Sequence, residues 1–283
     1  MNQDTYVTTL LNQLKPIYGI QESEAMGRIL LDHLERKHRL PLDRTMEWST
    51  ELTNIATHLL DEIISGIPIQ YVLKEAWFDD RCFFVDPSVL IPRPETEELL
   101  DWIRKDIGAT AASLQIFEIG TGSGILAVSL KRAFKNAVVR AIDVSETALN
   151  IARSNATRFE AEIAFQQIDF TDKKNWSAIE PVDILVSNPP YIGLEEKNTL
   201  PKNVLEQEPW LALFVEGDDP LLFYRLIAAF GKQKLSEQGK IFVEMHEDRA
   251  DETQVLFEST GYLTEIRTDM QGKKRMLKAV HKP

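Results

Sequence analysis

Cysteine is almost absent from this sequence: Cys82 stands alone among 283 residues. That excludes an internal disulfide and a cysteine-built zinc site, and it fits a reducing compartment. Histidine is sparse as well. His33, His38, His58, His246 and His281 show no metal-ligand spacing, so they read as packing or surface residues and no metal is expected. Basic charge is in deficit, with 32 Lys and Arg against 44 Asp and Glu and a formal net charge of −12. Non-specific nucleic-acid affinity comes mostly from Lys and Arg displacing counterions, so no general phosphate-binding surface is expected. Long apolar runs are missing too: no uncharged stretch of about 18 residues occurs, and the start "MNQDTYVTTL" has no basic segment ahead of an apolar one. These absences point to a cytoplasmic protein without a membrane span. No heptad or long apolar edge stands out, and a monomer is expected.

The sequence does have ample core-forming material, 43% apolar residues, arranged in two kinds of pattern. From Asp4 to Ser65 apolar residues recur at helical spacing, as at Ile29, Leu30 and Leu34 and at Leu52, Ile55, Leu59, Leu60 and Ile63. Gly66 and Pro68 break that pattern, and "EAWFDDRCFFVD" then reads as a hairpin turning at Asp79 and Asp80. After Pro94, "ETEELLDWIRKDI" predicts a helix with acidic residues in its first turn, where the helix dipole favours them. Strands are predicted at "LQIFEIG", "AVVRAID", "EIAFQQID", "VDILVSN", "GKIFVEM" and "LTEIRTD", with helices starting near Ser123, Ser145, Pro220 and Glu247. This alternation implies an α/β fold whose parallel sheet is covered on both faces. "KKRMLKAVH" follows the last strand without a helix between them, so it should return antiparallel as a C-terminal hairpin. The expected organisation is a helical bundle at 1–72, a hairpin linker at 73–90 and the α/β domain at 91–283.

"FEIGTGSGIL" sets Gly120, Gly122 and Gly124 between a strand and a helix, where missing side chains let a ligand approach the backbone and the helix N-terminus. A dinucleotide fingerprint needs its third glycine three positions after the second, and Ile125 stands there; the Gly-Lys-Ser/Thr ending of a triphosphate loop is also lacking. An acidic residue followed by Gly-x-Gly-x-Gly resembles the first motif of class I S-adenosylmethionine (SAM) methyltransferases. The candidates for the cofactor are therefore Gly120, Thr121, Gly122, Ser123 and Gly124, with Glu118 as a carboxylate suited to the sulfonium and ammonium of SAM. Asp143 closes the second strand about 20 residues later, where a carboxylate can accept from both ribose hydroxyls. Asp169 closes the third, followed by Phe170. The resemblance implies that this acid meets the adenine amino group while the aromatic packs on the ring. By themselves, a glycine turn can serve only strand-helix packing and a strand-end aspartate can serve only as a helix cap.

"SNPPY" follows the apolar run "VDILV". Proline lacks an N–H and holds φ near about −65°, so Pro189 and Pro190 make a stiff segment in which no amide next to the Pro189 carbonyl competes for its oxygen. The Asn188 side chain offers a second acceptor, and two converging acceptors suit the two hydrogens of a planar NH2 group. Such a nitrogen is a poor nucleophile because its lone pair is delocalised. Gripping both hydrogens favours a pyramidal nitrogen with its lone pair aimed at the methyl donor, so orientation carries the catalysis and no strong base is required. Tyr191 can stack on the planar group. The sequence element thus names Asn188, Pro189, Pro190 and Tyr191 as catalytic and substrate-binding candidates, with Asn188 also reaching the cofactor.

Asn-Pro-Pro-Tyr is shared by adenine-amino methyltransferases of nucleic acids and by glutamine-amide methyltransferases of proteins. "GIPIQYVLKEAWF", "VLIPRPETEELL", "FEIGTGSG", "VSNPPYI", "GKIFVEM" and "DMQGKKRM" occur in the order and spacing of the HemK/PrmC family, the peptide chain release factor glutamine methyltransferases, and the chain resembles that family from about Gly66 to its end. The resemblance implies a class I SAM-dependent methyltransferase fold, Rossmann-like, with a small N-terminal helical bundle that docks the protein substrate. It implies transfer from SAM to the glutamine of the Gly-Gly-Gln motif in class I release factors. Arg93, Pro94 and Glu95 match the "PRPETE" signature and should border the site, with Arg93 and Glu95 as substrate-binding candidates or as the rigid start of a helix. Lys74, where the family often has glycine, and Pro220 in "EGDDPLLFYRLI", where Asp-Gly-Leu is common, depart from the pattern at the hairpin and at a late loop. An acidic surface suits a protein partner that itself binds RNA. Two other readings remain: an adenine N(6)-methyltransferase, which would need a basic track, and a non-catalytic scaffold, which would have no use for paired NH2 acceptors.

Overall fold

The computed structural model describes residues 1–40, 43–108, 113–215, 217 and 219–283; Glu216 and Asp218 of the variant stretch "EGDDPLLFYRLI" lie outside them. The chain divides into two compact units, Met1–Glu75 and Ala76–Pro283. Among the described residues no helix is long and apolar enough to cross a membrane.

The first unit is built from helices α1 (Gln3–Tyr18), α2 (Ile20–His38), α3 (Thr50–Ile64) and α4 (Ile69–Leu73). Their buried faces gather Tyr6, Leu10, Leu14, Leu30, Leu34, Ala56, Leu60 and Ile63 into one core. Helical spacing predicts that set, but Ile29, placed on the same stripe from the sequence, is 41% exposed while its neighbour Leu30 is buried, because consecutive helical positions face different ways. Two tyrosine hydroxyls cross-link the bundle, Tyr6 to the Ala56 carbonyl and Tyr18 to the Ile63 carbonyl, each at 2.8 Å. Gly66, at φ 96°, ends the α3 run, and Pro68 opens α4.

The second unit starts with a hairpin, β1 (Ala76–Phe78) and β2 (Arg81–Phe83). Asp79 and Asp80 both adopt positive φ, 51° and 56°, the conformation that a two-residue turn between twisted strands demands. Helix α5 (Pro94–Ile107) follows, with proline at its first position and Arg93 as N-cap. Then come β3 (Gln115–Ile119), α6 (Ile125–Ala133), β4 (Val138–Asp143), α7 (Glu146–Arg158), β5 (Ile163–Gln167) and β6 (Val182–Ser187). Two short helices, α8 (Lys202–Gln207) and α9 (Trp210–Leu213), precede α10 (Leu222–Lys234), β7 (Leu235–Glu244), α11 (Ala250–Ser259), β8 (Tyr262–Thr268) and β9 (Lys274–His281).

Among the described residues the main sheet has seven strands in the order β5-β4-β3-β6-β7-β9-β8, with β9 antiparallel to both its neighbours and the rest parallel. This is the class I SAM-dependent methyltransferase fold: mostly parallel, closed at one edge by the antiparallel pair that "KKRMLKAVH" predicts. Consecutive residues alternate between two cores, Phe117, Leu185 and Ile241 in one and Ile116, Val186 and Phe242 in the other, as a sheet covered on both faces requires. Strand β7 begins four residues before the predicted "GKIFVEM", and its pairing with β6 shifts register between Val182 and Ile184.

Register then positions the site. Ile119 pairs with Ile142 and with Ser187, and Ser187 pairs with Val243. The residues one step further, Gly120, Asp143, Asn188 and Glu244, therefore line up along the carboxyl edge of the sheet. Strand order reverses between β3 and β6, the switch point at which open α/β sheets bind ligands.

The glycine turn joins β3 to α6. Gly120 and Gly124 have φ of 72° and 79°, but a Cβ on Gly120 would meet nothing within 4 Å, whereas one on Gly124 would lie 2.9 Å from Ala152 Cβ and 3.0 Å from its Cα. Gly120→Ala should lower unfolding free energy by only the left-handed-backbone cost, about 1–2 kcal/mol. Gly124→Ala should cost roughly 2–5 kcal/mol, because overpacking against α7 adds to the same backbone cost. Urea unfolding of the two variants side by side checks the difference.

Candidate active site

A cavity of about 780 Å³ opens at the carboxyl edge. Gly120, Thr121, Gly122 and Ser123 form part of its wall, as do Glu118, Asp143, Asp169, Phe170, Asn188 and Pro190. These are sequence candidates brought together from four strands. Gly124 does not line the cavity; its place is the close packing of α6 on α7.

Glu118 is 2% exposed. Its Oε2 accepts from the Thr121 hydroxyl at 2.6 Å and from the Ala127 amide at 3.0 Å. Burial pushes its carboxyl up to about 8 against those two bonds, and the nearby Asp143 adds to the rise. Asp143 is also raised, by burial first, although it accepts from the amides of Gly122 and Ser145, each at 2.9 Å. These backbone bonds fix the orientation of the carboxylate at the cavity wall. Asp169 Oδ1 caps its own turn, taking the amide and hydroxyl of Thr171 at 2.8 and 2.6 Å. The Phe170 ring stacks on Trp176 with centroids 5.3 Å apart, and the Trp176 indole donates to the Phe170 carbonyl. Asn155, which sequence reasoning passed over, ties the loop down: it is fully buried, donates to the Ser123 carbonyl at 2.9 Å and accepts from the Phe84 amide at 2.8 Å.

A second cavity, of about 180 Å³, is lined by Pro189, Tyr191, Ile192 and Leu200 among others. Asn188, Arg93, Leu90 and Ala212 line both cavities, so Asn188 stands where the two adjoin. Ser187, just before it, is locked by donating to the Ile119 carbonyl at 2.8 Å. Asn188 Nδ2 donates to Thr96 Oγ1 at 3.0 Å. Among the described residues nothing donates to Asn188 Oδ1 or to the Pro189 carbonyl, the two acceptors that the double proline was expected to leave open. Tyr191 is tied by its hydroxyl, which donates to Glu244 Oε1 at 3.2 Å, and its ring meets His246 edge-on.

Within the "PRPETE" signature the residues diverge. Arg93 donates to Glu208 Oε1 at 2.7 Å, and Glu208 Oε2 accepts from the Ile91 amide at 3.3 Å. That pair holds the signature against the segment from Pro209 to Ala212, which forms another part of the larger cavity's wall. Pro94 starts the helix, and neither Pro94 nor Glu95 lines either of these two cavities. The residue of this signature that reaches Asn188 is Thr96. Thr96, Glu208 and Glu244 were not singled out from the sequence. A signal existed for Glu244: it ends "GKIFVE", the strand beside SNPPY, and acidic groups at strand carboxyl ends are where such sheets do chemistry.

The cavity fits a cationic, nucleoside-like ligand. It presents the buried carboxylate of Glu118, the oriented carboxylate of Asp143 at a strand end and a loop whose Gly120 and Gly122 leave open space beside the backbone. Comparisons with known proteins agree. The methyltransferase small domain family matches residues 96–211. The chain is 38% identical over 280 residues to the release factor glutamine methyltransferase of Flavobacterium psychrophilum, covering 96% of this chain and 97% of that protein. It is 41% identical over 213 residues, 75% of each chain, to the protein of the same name from Bacteroides thetaiotaomicron. A Thermus thermophilus 16S rRNA N2 G1207 methyltransferase, solved with AdoMet and guanosine, shares the fold at a TM-score of 0.53 and 17% identity over 74% of this chain and 50% of that one. On these similarities, which span nearly the whole sequence, the chain belongs to the release factor glutamine methyltransferase family.

Proposed function

We propose that this chain uses SAM to methylate the side-chain amide nitrogen of the Gly-Gly-Gln glutamine in a class I peptide chain release factor. The observation that carries the reading is Asn188 at the junction of the two cavities, with Nδ2 engaged by Thr96 and Oδ1 left for a ligand. The glycine loop, Glu118, Asp143, Asp169 and Phe170 would hold the cofactor. Bound SAM supplies an electrophilic methyl group on a sulfonium. The smaller cavity receives the glutamine side chain: Asn188 Oδ1 and the Pro189 carbonyl take its two amide hydrogens, and Tyr191 stacks against its plane. Gripping both hydrogens localises the nitrogen lone pair for attack, and the methylated nitrogen then loses its proton without a dedicated base. Met1–Glu75 serves as the docking module for the protein substrate. The enzyme acts as a cytoplasmic monomer.

Methyl-labelled SAM tests the substrate. Label should enter an intact class I release factor and be absent from its Gly-Gly-Gln Gln→Ala variant and from duplex or single-stranded nucleic acid. Label on nucleic acid alone would replace this reading with the adenine one. Asn188→Ala should lower kcat by roughly 100- to 1,000-fold, the range seen when one preorganised polar contact is removed, and should still bind the release factor in a pull-down. An unchanged kcat would sink the amide-grip role.

Glu118 makes a further expectation. Held up to about 8 by burial, it is mostly protonated in the ligand-free protein at pH 7. A cation beside it favours the carboxylate, so binding must shed the proton. Calorimetry of SAM binding at pH 7 in buffers of different ionisation enthalpy should show release approaching about one proton, abolished in Glu118→Gln. Equal values for the two proteins would show that Glu118 does not face the charge.

A further inference from the structure

Glu244 is 1% exposed and ends β7, next in register to the end of β6 that carries Asn188. Its Oε2 accepts from the Thr96 hydroxyl at 2.6 Å, its Oε1 accepts from the Tyr191 hydroxyl at 3.2 Å, and its backbone carbonyl accepts from the Tyr224 hydroxyl at 3.2 Å. Thr96 is itself 2% exposed. A hydroxyl has one hydrogen. Because Thr96 gives that hydrogen to the carboxylate, only its lone pairs are left for Asn188, and the Asn188 amide must turn its NH2 toward Thr96. The flipped amide would present Oδ1 to Thr96, and the hydroxyl would then have to serve two acceptors with one hydrogen. One of those acceptors, the buried carboxylate, would be left short of a donor, which is costly in a buried site.

We propose that Glu244 is a positioning residue for methyl transfer: through Thr96 it sets which end of the Asn188 amide faces the acceptor amide, and through Tyr191 it holds the other end of the same motif. The inference rests on the amide-gripping role of Asn188 given above. Neither link touches the cofactor loop, so the effect falls on turnover more than on SAM affinity. Reversal of the relay requires Glu244 to become a donor. Burial pushes its carboxyl up to about 7, with the Thr96 hydroxyl opposing, Glu95 adding to the rise and Tyr191 and Arg275 opposing it. The groups facing it are Thr96 and Glu95 of α5, Tyr191, Tyr224 of α10 and Arg275 of β9; Arg93 and His246 stand by Tyr191. Once protonated, Glu244 can donate to Thr96, which can then donate to Asn188 and turn Oδ1 inward. Turnover should therefore rise with pH through about 7 and level off above it.

The experiment compares wild type, Thr96→Val, Thr96→Ser, Glu244→Gln and Asn188→Ala, using labelled methyl transfer to an intact release factor, SAM binding by calorimetry and melting temperature. Thr96→Val keeps the shape and removes the relay, so its kcat should fall roughly 10- to 100-fold while SAM affinity stays within about threefold, and Thr96→Ser should recover to within about threefold of wild type. Glu244→Gln is neutral at every pH and should lose the rise of kcat through pH 7. Wild-type kcat in Thr96→Val, or failure of Thr96→Ser to recover while folded, overturns the proposal. So does a pH limb that survives in Glu244→Gln. If Glu244→Gln does not fold, the valine and serine pair decides. Wild type inactive on the release factor, or Asn188→Ala fully active, refutes the amide-grip reading itself, whereas active wild type, inactive Asn188→Ala and unaffected Thr96→Val refute only the relay.

Discussion

The site depends on one pairing, β3 alongside β6 in parallel register, closed at its carboxyl end by the Ser187 hydroxyl on the Ile119 carbonyl at 2.8 Å. That contact places the glycine turn after Ile119 and the double-proline segment after Ser187 side by side. A slip of one residue would turn every side chain of β6 to the opposite face and would move Asn188 off the sheet edge. Both cores resist the slip, because Leu185 and Val186 are each fully buried on opposite faces. Packing far from the cavity thus sets the spacing between the glycine turn and the double-proline segment.

Two fully buried carboxylates, Glu118 and Glu244, flank this junction, and each is raised by desolvation. Burying an acid is unfavourable, and such acids are often retained for function. Their environments differ in a way that separates their roles. Glu118 bonds to the loop and the start of α6 and lines the larger cavity. Glu244 accepts from Thr96, which in turn accepts from Asn188, and from Tyr191. In the proposed function one carboxylate addresses a ligand charge, and the other addresses hydrogen-bond direction.

Much of the fold was legible in the sequence because its signals are local and periodic. The strand runs, the helix after Pro94 and the Asp79-Asp80 turn each follow from a few adjacent residues. The spacing of Gly120, Gly122 and Gly124 identified the loop but not the separate tasks within it: Gly120 and Gly122 line the cavity, while Gly124 exists for Ala152, 28 residues away in sequence. Ile29 shows the same limit in the helical unit, since apolar identity does not say which of two neighbours faces inward. The short helices α8 and α9 went unread because each is under two turns and shows no full period.

By itself the sequence determined the fold class, the glycine loop, the aspartates at strand ends and the stiff acceptor pair at Asn188 and Pro189, since these rest on backbone chemistry and on spacing along the chain. Only the tertiary structure decided how those acceptors are held. Thr96 and Glu244 lie 92 residues before and 56 after Asn188, and neither carries a local signature for donating to or accepting from its partner. A hydrogen bond has a direction that depends on what else each group must satisfy, and that constraint comes into being when folding buries the three together and removes the water that would otherwise satisfy them.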